Sequence, residues 1–141
     1  MDRQLITSGT VWEKNYGYSR AVRIGKTICV AGTTAVDGAG NVVGEDNPYE
    51  QARFIYGKIE SALREAGASL GDVVRIRTFV TDISRWDEVA RAQGEVFGSI
   101  RPAATLVGVT ALVHPRLLVE IEADAIIPST VNPPQSVGGA A

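Results

Sequence analysis

The sequence predicts an α+β fold, a mixed β-sheet with two helices packed on one face. Three observations predict it. From Leu117 to Ile127, apolar Leu117, Val119, Ile121, Ala123, Ala125 and Ile127 alternate with Leu118, Glu120, Glu122, Asp124 and Ile126, the period of two of a strand with one buried and one wetter face. Two stretches, opening near Asn47 and near Ser84, instead repeat their apolar residues at helical spacing. Between Tyr18 and Gly32, two β-rich runs flank Gly25-Lys26, a pair suited to a type II′ hairpin turn.

Taken in order, Leu5–Thr7 reads as a short first strand, ended by Ser8 and Gly9. Tyr18–Ile24 and Thr27–Gly32 make the hairpin, and a two-residue turn fixes its register: Ile24 faces Thr27, Val22 faces Cys29 and Arg20 faces Ala31. The segment 37–44 carries Gly38, Gly40 and Gly44, one residue too long for a dinucleotide fingerprint and with no helix directly behind it. It reads as a loop. The first long helix starts at Asn47, with Pro48 at its first position and Glu50 at its third, a capping-box-like opening. Ala52, Ile55, Ile59, Ala62, Leu63 and Ala66 form its buried stripe, and Gly67 supplies a left-handed cap. Val73–Val80 follows as a strand, with Val74, Ile76, Thr78 and Val80 on one face and Arg75 and Arg77 on the other. Ser84 and Asp87 cap a second helix, with Trp86, Val89, Ala90, Gln93, Val96 and Phe97 inward. Two last strands, between Arg101 and Pro128, are joined by a short crossing loop. The pattern gives a single domain over residues 1–127 and a flexible tail over 128–141, rich in Pro, Gly and Ser.

Composition bounds the function. A hydrophobic share of 45% and a charged share of 21% belong to a globular domain, and 141 residues suffice to bury a core without staples. A net charge of -2 argues against a nucleic-acid partner. The N-terminal stretch has no signal-peptide core, and no run nears the roughly 20 apolar residues of a spanning helix, so a cytoplasmic location without a membrane partner is expected. With one cysteine, Cys29, and one histidine, His114, neither a metal site nor a disulfide is expected, and no cofactor. Cys29 reads as a small core residue and His114 as a loop residue.

Three acids, Glu120, Glu122 and Asp124, line one face of the last strand. Carboxylates so placed repel one another, so this face is solvated, meets cations or lines a polar pocket. Two helices leave the other face of the sheet partly uncovered, which in a small protein favours association.

The run RPAATLVGV followed by LLVEIEADA resembles the C-terminal signature of the RidA or YjgF-type reactive intermediate (imine/enamine) deaminase family. The likeness extends through GYSRAVRIGKTICVAGTTAV and ASLGDVVRIRTFVTDISRWDEV, and covers about residues 12–127. It implies a chorismate-mutase-like fold and a homotrimer, its sheets around a central barrel, with three small-metabolite sites between subunits. The family's deaminases hydrolyse enamines and imines to ammonia and a 2-keto acid. An arginine clamps the substrate carboxylate, assisted by a tyrosine, a serine, an asparagine and a water-positioning glutamate. Carried over by residue, the tyrosine falls on Tyr18 and the glutamate on Glu120, the catalytic pair. The arginine position is Ala104, the serine position Ala31 and the asparagine position Ala90. The chain thus resembles a subgroup lacking the arginine. Thr105, beside Ala104, joins the ligand-binding residues, while Arg101 is either a surface charge or a rim contact.

Tyr18 and Arg20 lie two apart on one strand and so share a face. Arg20 is therefore expected to take over part of the arginine's role, over the small residues Ala31 and Ala104; the other reading is a structural salt bridge with Glu13. A deaminase-like hydrolase, a ligand-binding trimer without turnover and, least favoured, a ribonuclease are the functions in view.

Overall fold

The computed structural model describes residues 2–129. The expected tail lies, apart from Pro128 and Ser129, outside the described residues. Six strands, β1 (Arg3–Ile6), β2 (Ala21–Ile24), β3 (Thr27–Thr34), β4 (Val73–Val80), β5 (Ala103–Gly108) and β6 (Val119–Ile126), form one sheet in the order β1-β2-β3-β6-β4-β5. All neighbours are antiparallel except β4 and β5. The two final strands therefore lie on either side of β4, and the segment between them crosses its end.

Two long helices, α2 (Pro48–Glu65) and α3 (Trp86–Phe97), provide the crossovers and pack on one face. The opening of α2 follows the expected chemistry: the Asn47 side chain accepts from the Glu50 N–H at 3.0 Å, and Pro48 fills the first position. All six residues of its expected stripe are buried, four of them at 0% exposure. Each buried Ile or Leu there contributes about 2 kcal/mol. They meet Ile28, Ile76, Val119 and Ile121 from the sheet. Gly67, at φ 88°, ends the helix in the left-handed region. The hairpin register is as expected, with Ile24 opposite Thr27 and Val22 opposite Cys29, and the Ala31 N–H donates to the Arg20 carbonyl.

Several details differ from the sequence reading. A short helix, α1 (Val11–Tyr16), precedes the hairpin, and the strands there begin or end a few residues away from the expected bounds. Val74 is exposed and Val73 buried, because β4 is bulged against β6 between Val73 and Arg75 and Val74 is the extra residue. The second long helix is opened by a 3-10 turn at Ile83–Arg85, whose cap is Asp82, accepting from the Ser84 N–H at 3.0 Å. That turn rotates Trp86 outward to 54% exposure, and the buried residues of α3 are Val89, Ala92 and Phe97. Cys29 is exposed, since it shares its face with Val22 and Asp124 rather than with buried Ile28.

Among the described residues no helix is long and apolar enough to cross a membrane, and no group of three or more His, Cys, Asp or Glu is placed to hold a metal ion.

Candidate functional site

The sheet face away from the helices carries the acids of β6. Pairing explains two of them: Arg77 of β4 sits opposite Glu122 and reaches both Glu122, at 3.2 Å, and Asp124, at 3.3 Å. Glu120 has no such partner. It stands opposite Thr34 on one side and Phe79 on the other, just past a bulge in β3. Between the pairs Val30–Ala123 and Thr33–Ile121, β3 carries two residues, Ala31 and Gly32, against the single Glu122. This extra residue brings the bare Cα of Gly32 under Glu120, whose carboxylate occupies the space that a side chain there would need.

Arg20 converges on the same point. Its guanidinium donates to the Gly32 carbonyl at 2.8 Å and lies 6.0 Å from the centre of the Tyr18 ring. Its Nε is buried and has no hydrogen-bond partner among the described residues. Burial pushes the Glu120 carboxyl above its ordinary value, against the opposing charge of Arg20 and with a smaller push from Glu122. A half-buried carboxyl that holds its proton more tightly can give or take one closer to neutral pH.

Two further charges complete the cluster. Glu13, 5% exposed, accepts from the Thr7 hydroxyl at 2.9 Å and the Ser8 N–H at 3.2 Å, and from the Ser8 and Thr10 hydroxyls. Burial works to raise its pKa, but the bonds from Ser8 and Thr7 and the charge of Arg20 outweigh it and hold the carboxyl low. Lys58 of α2 donates to the carbonyls of Thr34, at 2.8 Å, and Val36, at 3.0 Å. Burial, and then Arg20, depress its pKa. Arg20 thus stands in the field of two acids and one base, and makes no ion pair within 4.0 Å among the described residues.

A cleft of about 530 Å³ runs along this face from β1 to β6. Tyr18, Val22, Cys29 and Ala31 form its walls, with Arg3, Glu122 and Asp124 among its charges. Partial desolvation and the neighbouring Asp124 carboxylate push the Cys29 thiol up, away from the reactive thiolate form.

One chain therefore places Tyr18 and Ala31 in the cleft, while Arg20 and Glu120 meet at Gly32, outside the cleft's lining. The remaining candidates lie elsewhere. Ala104 and Thr105 are on β5, at the far edge of the sheet, three strand spacings or about 14 Å from β3. Ala104 pairs with buried Ile76 and so points to the helical side, whereas Thr105 pairs with Arg77 on the open side. Arg20 does not lie over Ala104 of its own chain. Arg101 is exposed, in a left-handed turn at φ 60° just before β5. Ala90 is half-buried on α3, and His114 accepts the Arg116 N–H at its Nδ1, at 3.1 Å.

Sequence reasoning missed Gly32 and Lys58 altogether. Bulges leave no periodic mark, so Gly32 read as a strand end. For α1 a signal existed: Thr10 and Glu13 have capping-box spacing, and Gly17, at φ 74°, ends the helix in the left-handed region.

Comparison with known proteins agrees with this fold. A family model described as Endoribonuclease L-PSP matches residues 12–127. An uncharacterised protein of Streptomyces coelicolor is 38% identical over 120 residues, covering 85% of this chain and 89% of that protein. A RutC family protein of Pyrococcus abyssi is 33% identical over 108 residues, 77% of this chain and 84% of its own length. Among solved structures, a Mycobacterium tuberculosis member of the YjgF/YER057c/UK114 family superposes with a TM-score of 0.81 at 51% identity, covering 89% of this chain and 100% of that one.

Proposed function

Since this chain belongs to the YjgF/RidA/RutC family, that of the Endoribonuclease L-PSP model, we propose that it is a cytoplasmic homotrimer with small-molecule sites between subunits. In each site it acts as a deaminase-like hydrolase of an imine, enamine or aminomuconate-type metabolite. The observation that carries this reading is the convergence of Glu120 and Arg20 on Gly32, beside Tyr18. Imine hydrolysis adds water to the C=N carbon and releases ammonia. Glu120 holds that water and exchanges the proton, Tyr18 lines the pocket, and Arg20 meets the substrate's acidic group in place of the cation that Ala104 does not supply. The separation of β5 from this cluster supports assembly, because Ala104, Thr105 and Arg101 reach such a site only from a neighbouring copy. Exposed Leu5, Ile24, Val107 and Ile126 on the open face supply apolar surface for the contact.

Ammonia release from a panel of imines generated in situ tests the reading. A bulkier or differently charged imine is expected to be accelerated. Little or no acceleration is expected for 2-aminoacrylate and 2-iminobutanoate, made with a threonine dehydratase. No acceleration of any imine would overturn the hydrolase.

A second reading, a metabolite-binding trimer without turnover, is favoured by the absence of a polar group at both Ala31 and Ala104; binding without ammonia release would establish it. A ribonuclease is the least supported, since a net charge of -2 and three carboxylates on the open face repel phosphate.

A further inference from the structure

Arg20 stands between two acids and pairs with neither. Its backbone N–H donates to the Ile6 carbonyl at 2.8 Å, at the end of β1, and Thr7 and Ser8, which follow Ile6, hold the Glu13 carboxylate. Glu13 therefore lies on the β1 side of Arg20, and Glu120, over Gly32, on the β6 side. Opposite charges that meet in a half-buried place ordinarily form charge-assisted hydrogen bonds. Here no ion pair to Arg20 falls within 4.0 Å among the described residues, and its guanidinium bonds instead to the Gly32 carbonyl, at 2.8 Å.

The hold on Glu13 explains why. A carboxylate only 5% exposed is costly to bury unless it is hydrogen-bonded, and Thr7, Ser8 and Thr10 all donate to this one. With its oxygens so engaged, Glu13 cannot swing onto Arg20, yet its charge stays in place. Its own carbonyl accepts the N–H groups of Gly17 and Tyr18, at 3.0 and 3.1 Å, so the same residue fixes the backbone that carries Tyr18. The six residues of α1 are too few to be stable alone, and this clasp anchors them. A clasp by itself has no need of a buried charge. The other charges nearby are already engaged: Lys58 of α2 on the Thr34 and Val36 carbonyls, and Glu122 on Arg77.

We propose that Glu13 is a positioning residue, whose pinned charge holds Arg20 back from Glu120 and so keeps the guanidinium open to a ligand's acidic group. The inference rests on the reading of Arg20 and Glu120 as the working pair, but not on turnover. Neutralising Glu13 lets Arg20 close on Glu120, and an ion pair there favours the charged carboxylate.

Carboxyl NMR of the full chain, labelled at glutamate and assigned with Glu120→Gln, follows the titration of Glu120 directly. Glu13→Gln should lower the Glu120 midpoint. In an Arg20→Ala background the same substitution should leave that midpoint unchanged, because Glu13 acts through Arg20. Ser8→Ala loosens the clasp but keeps the charge, and should leave Glu120 at or above its parent value; this variant decides the matter if Glu13→Gln does not fold. No fall in Glu13→Gln, a fall in the Arg20→Ala background, or a fall in Ser8→Ala would each overturn the proposal. None of these readouts involves ammonia release, so their failure leaves the hydrolase reading standing, and a chain without turnover still tests the role of Glu13.

Discussion

The Glu120 carboxylate lies over the Cα of Gly32, in the volume that a side chain at that position would fill. The bulge in β3 creates this contact, and the Gly32 carbonyl, on the same residue, holds Arg20 at 2.8 Å. Gly32→Ala should therefore move the acid and the base together. We expect a loss of about 1–3 kcal/mol in urea denaturation, the usual cost of overpacking, with loss of ligand binding. An unchanged midpoint with unchanged binding would show that the contact is unimportant.

The pH dependence of stability should separate Glu120 from Glu13. The folded-state pKa of Glu120 is raised, so the fold holds this proton more tightly than the unfolded chain does. Its contribution is favourable at low pH and is lost as pH rises above the ordinary 4.5 through the raised value. Glu120→Gln should thus gain stability relative to the parent chain as pH rises. Glu13 has the opposite sign: its pKa is lowered, so its stabilisation is present above the ordinary 4.5 and is lost as pH falls through the lowered value. Glu13→Gln should lose most at neutral pH. Urea midpoints between about pH 3 and pH 7 check both signs.

Most of the fold was legible because its signals are local. Asn47 with Pro48, Gly25-Lys26 and the alternation from Leu117 to Ile127 each fix an element by chemistry within a few residues. Where the reading failed, a single inserted residue or turn changed the facing of its neighbours: Val74 at its bulge, and Trp86 behind the turn at Ile83–Arg85. Of the site, Tyr18 and Arg20 lie close together, with the guanidinium 6.0 Å from the ring centre, but before β2 rather than on one strand, so strand parity does not account for it. Ala31 followed from the hairpin register. Gly32 and Lys58 did not, because they enter through a bulge and through a helix crossing the sheet, which are tertiary facts. By alternation alone the three acids of one strand are equivalent, and only the family resemblance singled out Glu120; in the structure the position of Arg77 sets Glu122 and Asp124 apart from it.

Assembly is a separate prediction. Light scattering at micromolar concentration should give three times the 15.0 kDa of one chain. A monomer's mass would remove the site between subunits.

We infer that Arg20, just before β2, binds the acidic group of the ligand. Calorimetric titration of phenylpyruvate, a bulky 2-keto acid of the product class, into the parent chain and Arg20→Ala tests it most directly, with the mass of each checked by light scattering. Saturable binding to the parent chain is expected, with a loss of at least about tenfold in Arg20→Ala without change of mass, the scale of a lost charge-assisted hydrogen bond. Equal affinity in the two proteins, no binding to the parent chain, or a variant that dissociates and still binds would contradict it.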